Sequence, residues 1–497
     1  MHRWLGLSLS VLSLAWFLSG FVMMYSGFPA VGWEDRINRG EPLSVGSGPL
    51  LEPGTAARTA GIRASADSVH LRTTLGRPVW VFRLSDGGRR AVYADDGSMF
   101  RVDARSLATR IAGAYEGLPD AAAEVATVAR LDQWTPRDFY LPYMPLHRVH
   151  LDDGRGTQVY ISSVTGDVVQ RHDRQERLWG WLGPVVHWIY PRDLIVRRPI
   201  WRQVVIWTSG LGVLMCLAGL TIGAVRFLQV RRLPHSASRI TPYRDRWFRW
   251  HHYLGFVFGI VTLTWVFSGL LSMSPFQWTP STGLSIEETL RWQGGALDLD
   301  AFEVSAEAAL GATEREAGRA VRLLKAVQIG GQPFWVAHLD WAETLVVPAG
   351  APHGGGAESS QVPVWPAFPE ELILAGAARI LPEAPRSSVT WITEPDAYYY
   401  PRYQPLRFPA LRVRFDDRAR TWLYLDPATG EVAYRYEKLS RLNRWIYHGL
   451  HSFDFPGLNG NRPLWDIVVL VLMAGGTALS ATGTILTWRW LSRNMRR

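Results

Sequence analysis

Four stretches of the chain run for about 20 residues without a charge: Trp4–Tyr25, Gln203–Val225, Tyr253–Met273 and Ile467–Trp488. At 1.5 Å per residue each matches a hydrocarbon core of roughly 30 Å, so the pattern predicts four membrane helices. Two long segments, Ser26–Arg202 and Ser274–Asp466, separate them in pairs, and there the apolar positions alternate or recur at helical spacing over short windows. Ala104–Ala114 and Ser305–Ala317 read as helices, and Pro78–Leu84 and Phe334–Leu339 as strands. Each segment closes on a hairpin, His147–Leu151 with Thr157–Ser162 and Leu411–Phe415 with Thr421–Leu425. Thr165-Gly166-Asp167 and Thr429-Gly430-Glu431 are the tight turns into a last strand.

Charge orients this pattern. Lys and Arg exceed Asp and Glu, 53 against 44, and the excess lies beside the apolar runs. The short loop between the second and third spans holds Arg226, Arg231, Arg232, Arg239, Arg244, Arg246 and Arg249 against only Asp245. Arg3 precedes the first span, and Arg489, Arg493, Arg496 and Arg497 follow the fourth. By the positive-inside rule both termini and this loop are cytoplasmic and the two large segments face the other side, the periplasm of a bacterial inner membrane if the cell is Gram-negative. Basic residues in these places are topology signals and no nucleic-acid footprint. The expected order is 1–27 first membrane helix, 28–177 first periplasmic domain, 178–228 interfacial segment and second helix, and 229–249 basic loop. It continues with 250–275 third helix, 276–440 second periplasmic domain, 441–490 histidine-bearing interfacial segment and fourth helix, and 491–497 tail.

The first span also has the basic start of a signal peptide, but its apolar stretch is long for one and it has a counterpart. At an offset of 249, His2 falls on His251, Gly6 on Gly255, Trp16 on Trp265 and Ser19-Gly20 on Ser268-Gly269. At an offset of 264, Val149, Asp152, Asp153, Thr157, Tyr160, Thr165, Gly166 and Val168 fall on Val413, Asp416, Asp417, Thr421, Tyr424, Thr429, Gly430 and Val432. Arg177, Leu178, Trp181, His187, Arg198, Pro199 and Trp201 then fall on Arg441, Leu442, Trp445, His451, Arg462, Pro463 and Trp465. The reading is a duplicated unit of helix, α+β domain and helix: two parallel repeats about a pseudo-two-fold axis along the membrane normal. The longer second segment has its insertion near Pro348–Pro366, a Gly-, Ala- and Pro-rich surface loop.

The Tyr-x-x-x-x-Thr-Gly-x-Val runs at Tyr160–Val168 and Tyr424–Val432 resemble the closing motif of PepSY domains. His2-Arg3-Trp4-Leu5-Gly6 and the Tyr447–His451 stretch are similar to PepSY-associated transmembrane proteins, and the resemblance covers nearly the whole chain. It implies four membrane helices and two extracytoplasmic α+β PepSY-like domains. For some members it implies an inner-membrane haem protein that reduces ferric siderophores in the periplasm.

Histidine at a membrane edge is costly to bury unpaired, and here its placement is regular. His2, His251 and His252 begin the first and third spans; His187, His448 and His451 precede the second and fourth. Taken singly, each is an interfacial histidine bonded to neighbours or headgroups. Taken as repeat-matched pairs, His2 with His251 and His187 with His451, they suit two b-type haems, each iron held by two neutral imidazoles. Pro184 stands where His448 has its match, so His448 is either an asymmetric ligand or a donor behind one. Arg3 stands opposite His252, which makes His252 the weaker of the adjacent pair. Trp4, Trp16, Trp188, Trp265 and Trp445 are candidate walls among 24 tryptophans.

Other chemistry falls away. Cys216 is the single cysteine, which excludes an intrachain disulfide and Cys-rich zinc or iron–sulfur sites. No His-Glu-x-x-His, Walker loop or Gly-x-Gly-x-x-Gly occurs, so no NAD or flavin site is recognisable. Pro352-His353-Gly354-Gly355-Gly356 lacks a Gly-x-Ser-x-Gly elbow elsewhere and reads as loop. The paired Asp152-Asp153 and Asp416-Asp417 read as turn residues, and His70, His147, His150, His172 and His338 as strand or surface positions. The leading expectation is an electron conduit in the lipid bilayer, fed by a quinol or cytoplasmic flavoprotein and reducing a periplasmic acceptor such as a ferric siderophore. Its competitor is a non-catalytic membrane-anchored PepSY protein that binds or regulates secreted peptidases. A transporter is weaker, since no span carries a charge to line a pathway.

Overall fold

The computed structural model describes residues 1–43, 49–103, 106–118, 122–232, 240–350, 362–402 and 404–495. It divides into two units, one of Met1–Phe28, Gln175–Pro280 and Leu439–Arg497, the other of Pro29–Arg174 and Ser281–Lys438.

In the first unit the four apolar runs lie in four helices long and apolar enough to cross a membrane: His2–Met23, Arg198–Arg231, Arg246–Leu271 and Leu464–Asn494. The second and fourth, of 34 and 31 residues, rise about 50 Å and 46 Å, longer than a hydrocarbon core. The first span packs on the second and fourth, and so does the third. A Cβ at Gly476 would stand 2.2 Å from the Phe17 ring, and one at Gly212 2.9 Å from Val266 Cγ1. Glycine there lets a neighbouring helix press a side chain against backbone, the usual device where lipid supplies no hydrophobic drive. Asp245, the lone acid among the basic residues of the short loop, caps the third span by accepting from Trp247 N at 2.9 Å and Phe248 N at 3.3 Å. It also pairs with Arg489 at 3.0 Å.

Ahead of the second and fourth spans the helix widens. Arg174–Gly180 runs into a π-helical stretch, Trp181–Val185, and Lys438–Asn443 into another, Arg444–Gly449. Beyond each, an indole fastens the turn to the start of the span: Trp201 Nε1 donates to Trp188 O and Trp465 Nε1 to Ser452 O, both at 2.9 Å.

The second unit is α+β. Its strands are β1 (Ala66–Thr74), β2 (Arg77–Leu84), β3 (Arg89–Tyr93), β4 (Ala122–Val128), β5 (Leu146–Leu151), β6 (Gln158–Ser162) and β7 (Val168–His172). From the second large segment come β8 (Leu323–Ile329), β9 (Gln332–His338), β10 (Thr344–Pro348), β11 (Arg386–Ile392), β12 (Ala410–Phe415), β13 (Trp422–Asp426) and β14 (Glu431–Tyr436). The strands read at Pro78–Leu84 and Phe334–Leu339 are β2 and β9, and the two hairpins are β5–β6 and β12–β13. The turns before the last strands hold Gly166 at φ 74° and Gly430 at φ 69°, a region costly to any other L-residue. The tyrosine of each closing motif is buried, and its hydroxyl donates to a carboxylate: Tyr160 to Asp132 at 3.0 Å, Tyr424 to Asp396 at 2.8 Å. Asp153 and Asp417 accept from the backbone and hydroxyl of Thr157 and Thr421, so the turn reading of the Asp pairs holds.

Ser305 caps a helix at Ala306–Ala317, as the pattern predicts. The helix read at Ala104–Ala114 runs instead from Leu107 to Glu116, stopped by left-handed Gly117, with residues 104 and 105 outside the described residues. Most of the Pro348–Pro366 insertion, His353 included, also lies outside them.

Strand pairing joins the two large segments. One six-stranded sheet has the order β10-β9-β8-β1-β2-β3, three strands from each segment, with β1 antiparallel to β8 and His70 opposite Lys325. The other two sheets, β4-β5-β6-β7 and β11-β12-β13-β14, each come from one segment. One face of the large sheet, with Leu71, Trp80, Leu324 and Trp335, is closed by Ala56 and the helix at Ala306–Ala317. On the other face Val79, Val81 and Ala91 pack on Val149 and Val159 of the first four-stranded sheet. Phe334, Val336 and Val346 pack on Leu411, Val413, Leu423 and Leu425 of the second.

Candidate functional site

The first unit brings four of the six singled-out histidines together as two pairs. His2 opens the first span and His251 lies in the first turns of the third; their ring centres are 6.2 Å apart with planes at 38°. His187 and His451 follow the two π-helical stretches, with centres 6.0 Å apart and planes at 71°. A π-turn shifts the phase of the residues after it, and such insertions recur at functional sites; here each aims an imidazole back at a span.

Every one of the four rings is held through Nδ1. His2 Nδ1 lies 2.9 Å from Met215 O on the second span, and His251 Nδ1 3.0 Å from Thr482 Oγ1 on the fourth. His187 Nδ1 is 3.1 Å from both Ser19 Oγ and Trp16 O of the first span. His451 Nδ1 is 3.0 Å from Ser268 Oγ and 3.3 Å from Trp265 O of the third. An N–H given by Nδ1 to a carbonyl selects the tautomer and presents Nε2 as the ligating atom. Burial pushes the His187 imidazole down to about 4, against an opposing pull from Trp16 O, so at neutral pH it is the uncharged ring.

The two centres are well separated. His187 bonds to Trp16, fourteen residues along the first span from His2, about 21 Å at 1.5 Å per residue. The His187–His451 end is surrounded by an apolar cluster with Phe17, Trp265, Val469 and Met473 buried in it. Among the candidate wall residues, Trp265 lies edge-on to Phe17 and Phe453, Trp4 meets Trp490, Trp188 packs on Phe28 and Tyr190, and Trp445 stacks on Phe455. Trp16 enters through its carbonyl.

The remaining two histidines have other neighbours. His252 Nε2 is 3.1 Å from Ile240 O, and its ring meets Tyr243, which ties the end of the basic loop to the third span. His448 lies against Tyr447, whose ring is 5.6 Å from His451.

Ser19, Ser268, Thr482 and Gly219 are site residues not singled out for these roles in the sequence. A Cβ on Gly219 would stand 2.7 Å from Cε1 of His2, so glycine is needed for that ring to reach Met215. The signals were present: Ser19 falls on Ser268 at offset 249, and Gly219 on Gly483 at offset 264. Among the described residues no group of three or more His, Cys, Asp or Glu gathers as a metal site. Each centre thus offers two imidazoles, short of the four ligands of a structural zinc site.

No curated protein matches the sequence. A family model described as the PepSY-associated TM region matches residues 1–489; with four membrane-length helices in one unit and α+β structure in the other, the chain is a multi-pass membrane protein and belongs to that family.

Proposed function

We propose that the protein is an inner-membrane b-type haem protein that passes electrons across the bilayer to a periplasmic acceptor, ferric siderophore iron being the acceptor the family resemblance implies. The observation that carries this reading is the pair of imidazole–imidazole gaps. A ring nitrogen about 2 Å from a metal on each side puts two imidazole centres roughly 6 Å apart, and the two pairs stand at 6.2 Å and 6.0 Å. Two imidazole nitrogens at each centre are the donors a b-type haem would take from the protein.

His2 and His251 would hold one haem, His187 and His451 the other. Bound haem supplies a reversible one-electron couple. The chain's own residues do the rest. Met215 O, Thr482, Ser19 and Ser268 orient the four imidazoles through Nδ1, and the apolar cluster around Trp265 excludes water from the His187–His451 end. The pattern supports a duplicated origin, since His187 and His451 find their Ser and Trp partners at matching places on the first and third spans. Topology follows the arginines: both termini and the basic loop cytoplasmic, electrons entering at His2 and His251 from a quinol or flavoprotein, and the large segments periplasmic.

The test is a pyridine haemochrome titration with reduced-minus-oxidised spectra of purified protein. Wild type is expected to carry two haems; His451→Ala loses one equivalent and keeps the other, and His251→Ala does the converse. Full haem content in both variants refutes the assignment and leaves a membrane-anchored binding protein.

A further inference from the structure

The second unit holds a polar seam that the electron-transfer reading does not use. Residues directly opposite across paired strands share a face, so Val81, His70, Lys325 and Val336 form one row across the six-stranded sheet. Val79, Arg72, Leu323 and His338 form the next. The valines at the wings are covered by the two four-stranded sheets. The middle of the face is polar at His70, Arg72, Lys325 and His338, with buried Leu323 between Arg72 and His338. Glu431 at the start of β14 bonds to Lys325 Nζ, and Asp167 lies 3.6 Å from Arg72 Nε. Arg407 stacks 3.7 Å over Trp341, and its charge acts on His338. Trp33 closes over His70 at 5.6 Å.

Polar nitrogens are left over in this seam. His70 Nε2, His338 Nδ1, Arg72 Nε and Arg407 Nη2 are buried without a hydrogen-bond partner among the described residues. His70 and His338 are only 6% and 5% exposed. Buried polar atoms are nearly always satisfied in folded proteins, and leaving several unmet in one place is costly. The seam is also reachable, since the Glu431 side chain is 54% exposed and that of Lys325 26%.

We propose that this seam is a binding groove for a small polycarboxylate anion. Guanidinium and imidazole donors match carboxylate oxygens. Arg72 on β1 and His338 on β9 are two strand spacings apart, about 9–10 Å, so an occupant that meets both is a multi-carboxylate molecule rather than a single-centred anion such as phosphate. Lys325, opposite His70 in the neighbouring row, supplies the attractive charge, and Glu431 opposes it. That the anion arrives as a ferric chelate rests on the electron-transfer reading; the groove does not.

Isothermal titration of the purified full-length protein at low ionic strength tests this, with citrate, gallium(III) citrate and inorganic phosphate as probes. Gallium is inert to reduction here, which keeps binding apart from electron transfer. Citrate or its gallium complex is expected to bind and phosphate not. Binding of the complex over free citrate marks the chelate as ligand, and the reverse marks the free acid. Lys325→Gln should weaken binding about tenfold through loss of a charged hydrogen bond, and Glu431→Gln should tighten it. Melting temperature checks that both variants fold. No citrate binding in either form, equal binding of phosphate, or an affinity unmoved in both variants overturns the proposal. Loss of haem from the histidine variants with gallium citrate binding retained separates the fate of the groove from that of the electron path.

Discussion

The buried imidazoles of the seam make the second unit sensitive to mild acid, with a sign and size that follow from their surroundings. Burial is the first cause that pushes His70 and His338 down to about 3; the positive charges of Arg72, Lys325 and Arg89 add to it for His70, and those of Arg407 and Lys325 for His338, while Asp167 and Glu431 pull the other way. In the unfolded chain a histidine titrates near 6.5. Between the two values the unfolded state binds the proton and the folded state refuses it, so stability is complete above about pH 6.5 and drains away as pH falls toward 3. At pH 5 each histidine has lost about 2 kcal/mol of stability, or about 4 kcal/mol for both. At about 2 °C per kcal/mol for a domain of this size, the melting temperature drops roughly 8 °C between pH 7 and pH 5. Asp167, held near 2 chiefly by Arg72 and Arg36 against its burial, gives up its share only below about pH 4, outside this window. Glu52 and Asp426, raised by burial, gain from protonation and offset a little. The assay is differential scanning fluorimetry of wild type, His70→Leu, His338→Leu and the double variant at both pH values. Leucine replaces an imidazole whose free nitrogen has no partner, so it costs little at pH 7 and flattens the pH dependence. A double variant that loses as many degrees at pH 5 as wild type refutes the reasoning.

Three further outcomes are expected. Gly219→Val drives a methyl group into the His2 ring, an overpacking cost of about 1–3 kcal/mol, and should abolish the haem spectrum of the His2–His251 end while sparing the other. Ser268→Ala keeps the weaker 3.3 Å bond from His451 to Trp265 O and should lower haem affinity at that end about tenfold, read from haem transfer to apomyoglobin. Reporter fusions after Arg232 should be cytoplasmic and at Gly97 periplasmic; a cytoplasmic signal at Gly97 refutes the topology.

Much of the candidate site was legible because its ingredients are one-dimensional. A charge-free run long enough to span a bilayer needs no partner to be recognised, and a histidine at its edge stands out because burial there is costly. Duplication added the pairing, since residues at one offset occupy equivalent places in the two copies. From span length the two histidine sets stand roughly 33 Å apart, whereas the π-helical turns lead His187 and His451 back along the spans to Trp16 and Trp265, leaving about 21 Å. A π-turn rests on one extra residue in the helical ladder, which neither hydropathy nor propensity registers.

Local composition and periodicity were enough for the four spans, the α+β character of the large segments and the turn glycines of the closing motif, and the two repeat offsets picked out His2, His251, His187 and His451 as candidates. Only the tertiary structure decided that Ser19, Ser268, Thr482 and Met215 O hold those rings, and that β1 pairs with β8 to make one sheet from two distant segments. Backbone hydrogen bonds between strands carry almost no side-chain signature. It also decided that His70 and His338, unremarkable as strand residues, lie at the bottom of a charged seam. Their burial depends on which sheets cover the wings of that face, and no window of sequence contains both the face and its cover.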